Sequence, residues 1–365
     1  MKKFPLLIAT VCCALMPFTS HAQTVQPQEV EYEVGKITTM TPTIGAEQSS
    51  YDVSVIVSKG SDAGKTISLQ YVFDTVSDQQ HYAVGDKIVI YRTAGEEYST
   101  YYIAEKYRIP SLIWIAGIFA FMVILATKMR GVFAFVGLAF SGLVIMQFML
   151  PQILDGKNPF LISTIAAVMI LCVSVFAAHG FRPRTIIAAV GMAFAIVCAL
   201  LASYFAVQVT ELSGLGSEEA FMVQFGLQQT VNVQGLLLGG IIIGVLGVLD
   251  DVATAQVAAV EELYRANNKL TFRELFLRGF SVGKEHILSL VNTLVLAYAG
   301  ASLPIFLLLH VSSQPLWVSL NSEPFAEEII RALVGSMALI VAVPLTTVLA
   351  AYIYPRPWFK KVVVD

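Results

Sequence analysis

The sequence predicts an α-helical polytopic membrane protein of about seven spans, preceded by a small N-terminal extracytoplasmic β-domain. Three observations carry this. The 365 residues are 56% hydrophobic and only 13% charged, the composition of a chain that lives mostly in lipid. Apolar segments long enough to cross about 30 Å of hydrocarbon recur after Pro110. The one polar block of domain size, 23–109, alternates apolar and polar residues with period two.

The first element, residues 1–22, reads as a secretory signal peptide. Lys2 and Lys3 form its charged start, Leu6 to Met16 its apolar core, and Ser20-His21-Ala22 a small-x-small cleavage site. An uncleaved first membrane helix is the alternative. Cys12 and Cys13 lie in this leader, while Cys172 and Cys198 lie in apolar spans. The polar block therefore has no disulfide framework and no CxxC site.

Within that block the alternation runs through Tyr51-Val53-Val55-Val57, then Ile67-Leu69-Tyr71-Phe73, then Lys87 to Tyr91. Turn signals at Ser58 to Asp62 and at Ala94-Gly95 separate the runs. The expected structure is a small antiparallel β-domain or short barrel. Gly60 to Thr66 looks like a phosphate-binding loop, but it is one residue short of GxxxxGK[ST] and sits between strands. It reads as a turn.

Seven apolar segments follow, near 110–127, 132–150, 159–179, 185–208, 232–256, 287–310 and 328–353. Lys128, Arg130, Arg182, Arg184, Arg265, Lys269, Arg273, Arg278, Lys284, Arg356, Lys360 and Lys361 all fall on one side. Lys157 and Arg331 fall on the other. Positive residues mark the cytoplasmic side. The chain is thus expected in the bacterial cytoplasmic (inner) membrane, multi-pass, with the mature N-terminus outside and the C-terminus inside. The transmembrane domain is 110–365. Its connection 260–286 carries a capping-box pattern, Thr271 to Glu274, then Leu275, Phe276 and Phe280 interleaved with Arg273, Arg278 and Lys284. It reads as a basic amphipathic helix on the inner surface or as a connector.

The fifth span holds the candidate chemistry. Asp250 and Asp251 interrupt an apolar, glycine-studded run. An acid at the centre of a membrane helix costs roughly 2.5–3.5 kcal/mol, so it reads as functional. The alternative is that the helix ends at Asp250 and both acids are solvated. At 100° per residue, Gly240, Gly244, Gly247 and Asp251 share one face, which Ala255 and Ala258 continue. Small residues let a neighbouring helix approach closely, so Asp251 is expected to point into a helix–helix seam. Asp250 is turned 100° away, and Gly235-xxx-Gly239 adds a further close-packing position.

Polar groups at matching depth are Ser174, Asn292, Thr293, Thr346 and Thr347. No Lys or Arg lies at that depth in the other spans. The carboxyl is expected to exchange a proton with neutral partners. Na⁺ or a hard divalent ion is the rival occupant, disfavoured because the oxygen ligands are few and scattered. No resident metal and no cofactor are expected. His179, His310, Glu218-Glu219 and Glu327-Glu328 read as boundary or solvated residues, and Tyr298 to Pro304 as a kink. No Ser-His-Asp, HExxH or Cys/His zinc pattern is present, so no enzyme is expected. Net charge −3 implies no nucleic-acid partner.

The stretches GLLLGGIIIGVLGVLDDVATAQVAAVEEL (235–263) and FRELFLRGFSVGKEHILSLVNTLVLAYAGASLP (272–304) resemble the YibE/YibF-like family of multi-pass bacterial membrane proteins. Ala178-His-Gly-Phe181 and the final span extend that resemblance over most of the chain after Pro110. More distantly, the fifth span looks like the acid-bearing helix of the RND superfamily, including SecD and SecF. There an Asp stands four residues after a glycine, as Asp251 stands after Gly247. The last six spans (132–353) are similar in layout to one RND half. That likeness implies a second half, hence a homodimer or a paired paralogue.

The expected function is a proton-coupled transporter or energy-coupling component acting through Asp251, with Asp250 second. The alternative is a non-transporting scaffold or receptor whose β-domain binds an envelope protein.

Overall fold

A computed structural model describes residues 30–42, 50–72, 82–94, 99–226 and 231–356. The leader 1–22, Phe73, Gly95, Lys360 and Lys361 lie outside the described residues. The chain divides into two compact units, Gln23–Ala126 and, beyond it, Thr127–Asp365.

Among the described residues, the first unit holds strands β1 (Glu31–Pro42), β2 (Ser50–Lys59), β3 (Thr66–Val72), β4 (Lys87–Ala94) and β5 (Ser99–Lys106). They form one sheet in the order β3-β2-β1-β4-β5, with every neighbouring pair antiparallel. The sheet curls into a half-barrel. Period-two alternation puts Val53, Val55 and Val57 of β2, Ile67 and Leu69 of β3, and Ile88 and Ile90 of β4 into one core with Ile37. The three runs seen in the sequence are β2, β3 and β4. β1 escapes that pattern because Glu31, Glu33 and Lys36 interrupt it, with Glu33 facing inward.

The β2–β3 connection is a turn, as expected. Gly60 (φ 137°) and Gly64 (φ 87°) adopt conformations that L side chains avoid. Asp62 organises this turn. It takes Lys65 Nζ at 2.6 Å and the Tyr101 hydroxyl at 2.6 Å. Glu33 Oε1 accepts from the Asp62 N–H at 2.9 Å and from Ser61 Oγ at 2.8 Å. The hydrogen bond from Lys65, then that from Tyr101, holds the Asp62 carboxyl below the usual carboxylate range. The unit continues into α1 (Ile109–Thr127), which has no buried residue.

The second unit is helical: α2 (Met129–Leu154, π-helical over Val144–Met149), α3 (Pro159–His179), α4 (Pro183–Val209), α5 (Glu218–Gly226) and α6 (Val233–Ala266). It continues through α7 (Phe272–Ala301), α8 (Leu303–Val311), α9 (Leu316–Leu320) and α10 (Glu323–Ile353). Six helices among the described residues, α1 included, are long and apolar enough to cross a membrane. The pair α7–α8, bent by 64°, supplies a seventh if counted as one span. The break falls at Ser302, beside Pro304, where a proline cannot donate its backbone bond. The sixth predicted span is therefore a broken one.

Helix α6 is central. It packs against α3, α4, α7 and α10, while α10 also packs against α4 and α7. Asparagines cap two of the starts: Asn158 accepts from the Leu161 N–H and Asn232 from the Gly235 N–H. A Cβ placed on Gly239 would collide with Ser163 Oγ, so glycine is what lets α6 and α3 approach at that level. The stretch 260–286 is not a separate surface helix. Its first residues finish α6 at Ala266, and the rest begins α7 with the Thr271–Glu274 capping box and runs unbroken into the apolar sixth segment.

Candidate functional site

Helix α6 has 34 residues, or about 50 Å at 1.5 Å per residue, against about 30 Å of hydrocarbon. It passes straight through Asp250 and Asp251 and continues to Ala266. Both acids are therefore mid-helix, and the reading that ended the helix at Asp250 fails.

The two side chains have different surroundings. Asp250 is half-buried against α3, where Ser174 Oγ donates to its Oδ2 at 3.4 Å. Its Oδ1 is buried and, among the described residues, has no hydrogen-bond partner. Such an orphan costs about 1–3 kcal/mol. His179 and Asp251 are its titratable neighbours. Thr254, one turn on, donates to the Asp250 carbonyl at 2.8 Å.

Asp251 is exposed. Its expected seam is absent within the unit. A Cβ on Gly247 would meet nothing within 4 Å, one on Gly244 only the Tyr298 hydroxyl at 3.1 Å, and one on Gly240 only Arg331 Nη1 at 3.6 Å. The reason is that α3 runs along another face of α6, from Gly235 and Gly239 to Asp250. Much of α7 beyond Lys284 is exposed rather than laid along the Gly244–Gly247 face.

Of the expected polar partners, Ser174 reaches the acid pair. Asn292 is exposed, and exposed Thr293 donates to its own helix at the Ser289 carbonyl. Thr346 and Thr347 are buried and donate within α10, to Ala342 and Val343. Thr347 Oγ1 also accepts from Gln256 Nε2 at 2.8 Å, and the same amide donates to the Gly279 carbonyl at 2.8 Å. Gln256 is fully buried and ties α6, α7 and α10 together. Its signal, an amide inside an apolar span, was present in the sequence.

A second polar cluster corrects the reading of Glu327 as solvated. Glu327 is buried and accepts from the Gly216 N–H at 2.8 Å. Glu323 Oε1 accepts from the N–H groups of Ser213, Gly214 and Leu215 and from Ser213 Oγ. Glu323 in the first turn of α10 and Glu327 one turn on thus hold the loop after α4.

A cavity of about 270 Å³ lies beside Thr254 and Ala258 of α6 and is lined also by His179 and Arg184. Thr185, Ala188 and Ala255 complete its lining, and Asp250 does not reach it. Among the described residues, no group of three or more His, Cys, Asp or Glu side chains is placed to hold a metal ion. The arrangement offers a partly enclosed carboxyl group with one weak donor.

The family model described as YibE/F-like protein matches residues 115–356. The chain belongs to the YibE/F-like family. In this YibE/F-like protein the match runs from within α1 to just past α10, so the acid pair lies inside it and the β-domain does not. No curated protein and no solved structure matches the chain. The likeness of the last six spans to an RND half therefore finds no counterpart in these comparisons.

Proposed function

We propose that this YibE/F-like protein is a proton-responsive membrane transporter or energy-coupling component whose proton-binding group is Asp250, with Asp251 as its exposed neighbour. The observation that carries the reading is the buried Oδ1 of Asp250, without a hydrogen-bond partner among the described residues, in the middle of an apolar span. As a carboxylate, Asp250 accepts one long bond from Ser174. With a proton, it is itself a donor. The two states make different demands on the α3–α6 contact, and so bias its packing. The water path that this reading requires would start from the cavity lined by His179 and Thr254, one turn past Asp250. The one-sided basic residues support a mature N-terminus outside the inner membrane and a C-terminus inside. The test is proton flux into proteoliposomes for Asp250→Asn, Asp251→Asn and the unsubstituted protein, with helical content as the folding control.

A second reading is favoured by the β-domain. Tyr32, Tyr91 and Tyr102 stand in a cross-strand row, with ring centroids 6.1 and 5.3 Å apart, and Tyr32 is 67% exposed. Exposed aromatic rows suit binding, here of an envelope protein by a receptor or scaffold. Deletion of 30–106 separates the readings: lost partner capture with retained proton flux supports two separable activities.

A further inference from the structure

Among the described residues, three arginines meet at one end of the helical bundle with no acid to pair them. Arg130 lies in the first turn of α2, and Arg182 and Arg184 flank Pro183 at the start of α4. All three line one cavity of about 410 Å³. Among the described residues, none has a carboxylate within ion-pair distance. Glu261, an acid at the same end, is already taken by Arg265 at 2.7 Å and the Tyr354 hydroxyl at 3.3 Å.

The lining of the cavity is also aromatic. Phe176 and Phe181 stack at 4.7 Å with planes 11° apart. The start of α4 adds to the positive field, since a helix N-terminus attracts anions and Arg182 supplies no side-chain cap there. Thr185, 1% exposed, holds a buried Oγ1 without a partner among the described residues. It lines the adjoining cavity, which shares Arg184 and His179 with this one.

Uncompensated guanidinium groups match phosphate oxygens in charge and in planar, two-point geometry. A lining of phenyl rings suits an anion with an apolar body. The cavity lies where the spans end, at the depth where basic pockets between helices meet lipid headgroups. From the arginine cluster, the aromatic lining and this depth together, we infer that the cavity binds a phosphate group presented by an anionic membrane lipid. The inference uses none of the α6 acids and is independent of the proton reading.

Native mass spectrometry of the full-length protein tests it, with phosphatidylglycerol, phosphatidylcholine and inorganic phosphate as separate probes. The unsubstituted protein retains phosphatidylglycerol and sheds phosphatidylcholine. Arg182→Gln with Arg184→Gln weakens retention by about fivefold per arginine, whereas Arg273→Gln with Arg278→Gln leaves it unchanged. Arg182→Lys with Arg184→Lys keeps the charge without the two-point geometry and weakens retention less than the glutamine pair. Arg130→Gln alone, expected to weaken retention about fivefold, carries the test if the glutamine pair does not fold, and undiminished retention by it overturns the inference. Displacement of phosphatidylglycerol by millimolar phosphate supports the same chemistry with a soluble source, and failure to displace it assigns the site to the lipid. Equal retention of both lipids, or undiminished retention by a folded glutamine pair, overturns the inference.

Discussion

Ser174 on α3 and Asp250 on α6 stand 76 residues apart in the chain and meet across the helix contact, Oγ to Oδ2 at 3.4 Å. That contact gives Asp250, rather than Asp251, the enclosed position. Asp251, one residue on and about 100° around the helix, faces outward with Gly244 and Gly247. The two acids therefore differ in environment although they are adjacent in sequence, and substitution of each reports on a different surface.

The α3–α6 approach predicts opposite responses at two glycines of one helix. Gly239→Ala drives a methyl group into Ser163 and is expected to destabilise the bundle by about 1–3 kcal/mol. Gly247→Ala meets nothing within 4 Å and is expected to be neutral. Thermal unfolding in detergent, followed by helical circular dichroism, compares them. Equal losses would show that α6 packs on the glycine face after all.

This contrast shows what was legible in the sequence. The length of the apolar segments placed the membrane-capable helices. The helical wheel correctly grouped Gly240, Gly244, Gly247 and Asp251 on one face. It carries no information on which face meets a neighbour, because that depends on crossing angles set by several helices at once. The glycine-rich face predicts a seam there, while α3 packs along another face, from Gly235 and Gly239 to Asp250. Ser174 was identified from depth alone. Asn292 and Thr293 share that depth but lie on the exposed side of α7, and depth does not give azimuth. Glu323 was missed because a first-turn acid after Ser322 looks like ordinary helix-start chemistry, and its partners are backbone N–H groups more than a hundred residues away.

That loop makes a local prediction. Glu323→Ala removes the acceptor for the amides of Ser213, Gly214 and Leu215. Their hydrogen exchange is expected to accelerate by a factor of about 5–150, matching about 1–3 kcal/mol. The Gly216 amide stays on Glu327 and is expected to change less. Unchanged exchange at 213–215 would remove Glu323 as the anchor of this loop.

The β2–β3 turn makes a pH prediction. Hydrogen bonds from Lys65 and Tyr101 lower the folded-state affinity of Asp62 for a proton. A carboxyl depressed on folding contributes stability above its unfolded value, near pH 3.9, and loses that contribution as pH falls through the lower folded value. The difference in β-domain stability between the unsubstituted protein and Asp62→Asn is therefore expected to be largest near neutral pH. It is expected to shrink as pH falls below about 4. Thermal midpoints from the near-ultraviolet tyrosine signal at stepped pH measure it. A difference constant down to pH 2 would contradict the role given to the Asp62 carboxylate.

The most direct measurement is the initial rate of proton entry into proteoliposomes under an imposed pH gradient. If Asp250 is the proton-binding group, Asp250→Asn abolishes flux to the level of empty liposomes. Asp251→Asn then retains most of it, and Ser174→Ala shifts its pH dependence. Flux that survives Asp250→Asn at the unsubstituted rate, in a protein with unchanged helical content, would contradict the account.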